Sequence, residues 1–160
     1  RALSLLKERR PEPPVYAIVV GKGKMLRTRL LARWAGAADR LRFVGPGDPR
    51  PYYGASDVLC LPTFFDPCAN VTFEGLACGL PAITTVHNGA HELLTHGENG
   101  YVMDSASDAA QMARYLQDCA DRDDLDRASE RARALAEDHT VAGMYRELEE
   151  VLVEAAEDDT

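Results

Sequence analysis

Strand-like and helix-like segments alternate along this chain, and that alternation constrains its fold more than any other feature. VYAIVV, residues 15–20, is a β-branched apolar run closed by Gly21. Such a run reads as a strand buried on both faces. Leu26, Leu30, Leu31 and Trp34 follow at helical spacing. RLRFV (residues 40–44), VLCLP (58–62), PAITT (81–85) and GYVM (100–103) read as four further strands, with helical stretches between or after them. The pattern predicts the α/β class, a doubly wound parallel sheet covered by helices.

Residues 1–10 read as a helix, ended by Pro11, Pro13 and Pro14. A doubly wound fold sets a central strand before its first helix. That first central strand is therefore expected to be missing. The tail is helical, with one apolar stripe at Ala109, Met112, Ala113 and Leu116. A second stripe runs through Val141, Met144, Tyr145, Leu148 and Leu152. Packing on the sheet is the expected role of the second stripe, and reaching toward a partner domain is the alternative. The expectation is one domain over residues 1–160, with residues 123–160 as a helical tail.

The 160 residues suffice for one domain with a core, and the net charge of −8 argues against general nucleic-acid or anionic-membrane binding, though not against a small local anion site. No apolar run is long enough to cross a bilayer, and the first residues do not read as a secretory signal. Cys60, Cys68, Cys78 and Cys119 form no CxxC pair and are expected to be small buried hydrophobes in a reducing compartment.

Ligands of open α/β sheets bind at the carboxyl ends of the strands. The loops there are GKGKM (residues 21–25), GPGDP (45–49), TFFDPCAN (63–70) and VHNGAHE (86–92). Gly21-Lys22-Gly23-Lys24 matches neither a Walker A loop nor a GxGxxG fingerprint. It is either a tight turn with two solvated lysines or a place where backbone approaches a ligand, with a lysine near phosphate. Asn70 reads as a helix N-cap ahead of Phe73, Leu76, Ala77 and Leu80. The amides of Asn70, Val71 and Thr72 would then be open at the positive end of a helix, suited to a diphosphate. Glu74 complements the helix dipole or binds ligand, and Asp66 is a turn residue before Pro67 or a functional acid. His87 and His91 read as loop residues lining the cleft rather than zinc ligands, and His96 and His139 as surface residues.

The stretch LPTFFDPCANVTFEGLACGLPAITTVHNGAHELLTHGENGYVMD resembles the family-4 retaining glycosyltransferases, which include lipopolysaccharide-core and related sugar transferases. The likeness rests on Asp66 and Glu74 eight apart, the Ala77–Ile83 run, Gly89 with Glu92, and Gly97–Gly100. Upstream, Gly21-Lys22-Gly23 and RLRFVGPGDPRPYYGASDVLCLP are similar to further family segments. The resemblance implies a Rossmann-like domain, the C-terminal half of a two-domain enzyme with its site in the cleft. It implies that Asp66 is catalytic, near the donor-sugar hydroxyls, and that Glu74 binds the ribose. Gly21, Gly23, Lys24, Val44, Asn70 and Val71 would complete a site for a nucleotide diphosphate sugar. No metal or other cofactor is implied.

Aspartate stands at position 66 where the family usually has glutamate, and Ala69 stands where it usually has glycine. The family's basic pair on the phosphate would fall before Arg1, and the N-terminal acceptor-binding domain would be a separate partner. The 160-residue chain by itself is thus expected to transfer no sugar, and it could pair with a second copy. A cytoplasmic setting is implied, with any inner-membrane contact made through the other domain. The rivals are a noncatalytic nucleotide-binding module, an interaction domain of the same fold, and an epimerase.

Overall fold

PAITT has no polar alternation, and in the computed structural model it becomes the buried strand β4, Ala82–Thr85, with every residue covered. The structure describes residues 1–9, 13–23 and 25–158. Pro11, Lys24 and the last two residues of the acidic tail lie outside them. β3, Leu59–Leu61, and β5, Gly100–Met103, flank β4 in parallel, in the order β3-β4-β5. β1, Ala17–Val20, and β2, Leu41–Gly45, form a second parallel pair. The doubly wound order 3-2-1-4-5-6 without its first member leaves 3-2 and 4-5-6. Those are the two sheets found, and among the described residues no strand pairs with the free edges of β1 and β3.

The helices are α1 (Ala2–Arg9), α2 (Met25–Trp34), α3 (Arg50–Tyr53), α4 (Asn70–Ala77), α5 (Ala109–Asp118), α6 (Arg122–Asp138) and α7 (Val141–Asp158). Successive strand residues point to opposite faces, so neighbours in β4 serve different layers. Ile83 joins Met103, Met112, Tyr115, Cys119 and Leu125 on one face, with Ala2 of α1 against them. Ala82 joins Leu76 of α4 and Ala132 of α6 on the other. The sheet is thereby covered by helices on both sides. Asp108 caps α5 by accepting from the amides of Ala110 and Gln111, and Asp121 caps α6 in the same way.

Several burial expectations are overturned. Ile18 and Val19 in β1 are each 40% exposed, because a strand is covered only where neighbours and helices reach it. Cys60, Cys68 and Cys78 are exposed, and only Cys119 is buried, its thiol pushed up to about 12 by that burial. The stripe on α7 does not pack on the sheet, since Val141, Met144, Tyr145, Leu148 and Leu152 are all exposed. Leu26, Leu30, Leu31 and Trp34 do lie on a helix, yet they face outward.

Backbone packing around β4 is close. A Cβ on Gly100 would stand 2.4 Å from the carbonyl oxygen of Ala82, a backbone atom that cannot swing aside. Gly100→Ala is therefore expected to cost about 1–3 kcal/mol by forcing β4 and β5 apart. Urea unfolding of the variant against the parent chain measures this, and an unchanged midpoint would contradict the packing.

Candidate functional site

One buried carboxamide joins the loops at the carboxyl ends of β3 and β4. The side chain of Asn88 is fully buried. Its oxygen accepts from the amides of Ala69 at 3.1 Å and Ala90 at 3.2 Å. Its nitrogen donates to the hydroxyls of Thr72 at 3.1 Å and Thr84 at 2.9 Å. A single residue thus ties the start of α4, the end of β4 and the 86–92 loop together. The Thr84 hydroxyl in turn donates to the carbonyl of Leu61, and that of Thr85 to the carbonyl of Thr63, so β3 is drawn into the same network.

Asp66 sits in this frame. Its amide donates to the carbonyl of His87 and its carbonyl accepts from Gly89, both at 3.0 Å. Its carboxylate accepts from the amide of Cys68 at 3.2 Å, the turn geometry expected of an aspartate before proline. The 86–92 loop runs so close to the Asp66 loop that a Cβ on Gly89 would stand 1.8 Å from the Pro67 carbonyl oxygen. Glycine is required there by space, not by φ.

The start of α4 differs from expectation by one residue. The N-cap is Ala69, with no side-chain bond, and Asn70 is the first helical residue. Ala69 takes φ −70°, a value any residue adopts, so the alanine in place of glycine strains nothing. The Thr72 amide donates to the Ala69 carbonyl at 2.9 Å, so it is not open to a ligand as expected. Asn70 and Val71 are exposed, and the geometry of a helix offers their amides no carbonyl within it.

Glu74 follows one turn later, with its carboxylate accepting from the phenol of Tyr53 at 2.7 Å. Tyr53 is buried, and its phenol is held well above the usual range, first by burial and then by the Glu74 carboxylate. The phenol therefore stays protonated and keeps donating. This bond carries α3, which follows β2, across to α4, which follows β3.

The glycine loops form a second group. Gly21, at φ +125°, donates its amide to the carbonyl of Gly45 at 3.0 Å, and Gly45 has φ +80°. Val44 is half-buried just before it, and Gly23 is exposed. Lys24 lies outside the described residues. His87 is exposed, and His91 sets its Nδ1 2.8 Å from the Asn88 carbonyl oxygen in a 3₁₀ turn that starts at Gly89. Among the described residues no group of three or more His, Cys, Asp or Glu side chains is placed to hold a metal.

Sequence reasoning missed Asn88 and Tyr53. Asn88 stood inside the quoted 86–92 loop and Tyr53 inside a quoted segment, each without a role. Hydrogen bonds between side chains of different loops leave no trace in spacing.

Residues 1–122 match the family model described as glycosyl transferases group 1. The lipopolysaccharide core biosynthesis glycosyltransferase LpsE of Rhizobium meliloti (strain 1021) is 35% identical over 108 residues, covering 66% of this chain and 31% of that protein. The chain spans about a third of the length of the curated relatives it matches. HepE of Anabaena, solved in complex with UDP, superposes with a TM-score of 0.83 at 24% identity, covering 96% of this chain and 43% of that one. The solved C-terminal domain of the group 1 glycosyl transferase LpcC of Francisella tularensis gives a TM-score of 0.72 at 18% identity, covering 85% of this chain and 75% of that one.

Removing the Asn88 side chain would leave the Ala69 and Ala90 amides without their acceptor. Asn88→Ala is expected to lower stability by about 2–6 kcal/mol, since each of the two buried unsatisfied amides costs about 1–3. Hydrogen exchange should quicken at both the 63–70 and the 86–92 loops. Faster exchange in one loop alone would contradict a shared anchor.

Proposed function

The chain belongs to the glycosyl transferases group 1 family, and from that premise we propose that it is the donor-binding half of a retaining glycosyltransferase. The intact enzyme moves a sugar from a nucleotide diphosphate sugar to an acceptor hydroxyl. The bond from the anomeric carbon to the diphosphate breaks, and the acceptor oxygen takes its place with the configuration kept. The acceptor is held by a separate N-terminal domain.

The observation that carries this reading is the row along α4. Asp66 is anchored just ahead of it, the Asn70 and Val71 amides lie open at its start, and Glu74 is set by Tyr53 one turn on. A diphosphate at the two amides gains from the helix dipole as negative charge grows on the leaving group. Glu74, with one oxygen bonded to Tyr53, offers the other to a ribose hydroxyl. Asp66 faces the sugar. Gly21 and Val44, with Gly23 beside them, line the nucleotide side. No metal or other cofactor has a role in this scheme.

The LpsE relative favours lipopolysaccharide or another glycan as the product. Among the described residues no helix is long and apolar enough to cross a membrane. We place the enzyme in the cytoplasm.

Calorimetric titration with UDP, GDP and ADP tests the binding half of the proposal. Saturable binding of at least one is expected, and Tyr53→Phe should weaken it by about 1 kcal/mol, the usual worth of one hydrogen bond. No heat from any of the three at millimolar nucleotide would sink the assignment.

Steady-state kinetics of the intact two-domain enzyme tests the roles. Glu74→Ala should raise the donor KM with little change in kcat, because a ribose contact is equal in ground and transition states. Asp66→Ala should instead lower kcat by about tenfold or more, because charge on the sugar develops only as the bond breaks. An unchanged donor KM in Glu74→Ala would contradict the ribose contact.

A further inference from the structure

The pocket around Asn88 would hold a carboxylate at least as well as it holds a carboxamide. The side chain is fully buried, with its oxygen 3.1 Å from the Ala69 amide and 3.2 Å from the Ala90 amide. Its nitrogen donates to the hydroxyls of Thr72 and Thr84. A backbone amide can only donate, but a hydroxyl can turn and either donate or accept. All four groups around position 88 could therefore donate to a carboxylate. The Thr84 hydroxyl would have to give up the Leu61 carbonyl to do so, which leaves the two amides and the Thr72 hydroxyl as ready donors. A carboxylate accepting from such a set stays ionised even when buried. Its bonds are about twice as strong as neutral ones.

A negative side chain is also most stabilising at the start of a helix, and this chain uses that elsewhere. Asp108 caps α5, and Asp121 caps α6 with Asp123 and Asp124 in the first turn. α4 differs on every count. Its N-cap is Ala69, no acidic residue stands in its first turn, and the side chain that takes the Ala69 amide is neutral. Stability alone does not account for an asparagine at position 88.

We propose that Asn88 is a positioning residue of the donor site, and that the diphosphate requires its side chain to be uncharged. The inference rests on the donor-site reading above. Through Ala69 and Thr72 the carboxamide fixes the start of α4, and it leaves the positive end of that helix unneutralised. Through Ala90 the same group holds the 86–92 loop, which bonds Asp66 by way of His87 and Gly89. The sugar acid and the diphosphate amides are thus set in register by one neutral group. Ala69 directly precedes Asn70, whose amide opens toward the phosphates. A charge at position 88 would stand within about 10 Å of them, by the length of one residue and two hydrogen bonds. A buried charge is little screened at that range. A carboxylate would therefore steady the fold and repel the ligand, whereas the carboxamide gives the hold without the repulsion.

Asn88→Asp separates the structural role from the functional one. Urea unfolding is measured on the parent chain and the variant. Both are titrated, with NMR detection, with UDP, GDP and ADP and with the matching nucleosides. The variant should unfold at the same urea concentration as the parent or at a higher one. Its Kd for the diphosphate that the parent binds should rise about tenfold or more, from repulsion between like charges at that distance. Binding of the nucleoside, which lacks the phosphates, should be unchanged. A purely structural role predicts a looser fold and equal losses for both ligands. A lowered urea midpoint, or a fold lost by far-UV circular dichroism, would overturn the proposal, because the pocket would then not accept a carboxylate. Equal losses for nucleoside and diphosphate would overturn it too. A parent chain that binds none of the three diphosphates would remove the donor-site reading and this inference with it. A parent that binds, with a variant that binds equally well, would sink this inference alone.

Discussion

Everything at the proposed site depends on the four hydrogen bonds of the Asn88 carboxamide. A buried amide group makes a rigid frame only when both its oxygen and its nitrogen are satisfied, and here both are. Two of those bonds reach the first turn of α4 or the residue before it, and the others reach β4 and the 86–92 loop. The start of α4 is therefore held against the sheet by a side chain rather than by its own cap. Ala69 offers no capping oxygen, and a capping side chain would occupy the amides that the proposed diphosphate needs.

The second constraint is the division of the sheet. The three strands β3, β4 and β5 carry both apolar layers, with Ile83 and Ala82 facing opposite sides. The β1-β2 pair stands apart from them, joined to the rest through helices. Ser4 of α1 donates to the carbonyl of Ala35, and Lys7 bonds the carbonyl of Gly36, while α1 itself lies against α5. The Tyr53–Glu74 bond makes a further link between α3 and α4. The glycine loops of β1 and β2 and the acidic residues of α4 are thus related by helix contacts, not by a continuous ladder.

The surface is divided in charge as well as in polarity. α2 sets Leu and Trp among arginines, whereas α7 sets its exposed apolar stripe among Glu147, Glu149, Glu150 and Glu154. The two exposed apolar rows thus lie in surroundings of opposite charge.

All five strands were legible from apolar runs between glycine and proline, because those signals act within a few residues. The parallel arrangement was legible too, since strand-like and helix-like stretches alternate along the chain. Asp66, Asn70 and Glu74 could be singled out because a loop and the first turn of a helix keep them close in sequence. Burial was not legible in the same way. Periodicity tells which residues share a face, but not whether that face meets the core or water, and so the rows on α2 and α7 were found on helices and pointing outward. Nor could spacing show that Asn88 would bond Ala69 and Thr72, or that Tyr53 would meet Glu74. The sequence by itself determined the elements and their order, through local backbone preference. The tertiary structure alone decided which polar groups meet across loops and which apolar faces remain open, because both depend on neighbours brought together only when the sheet and helices assemble.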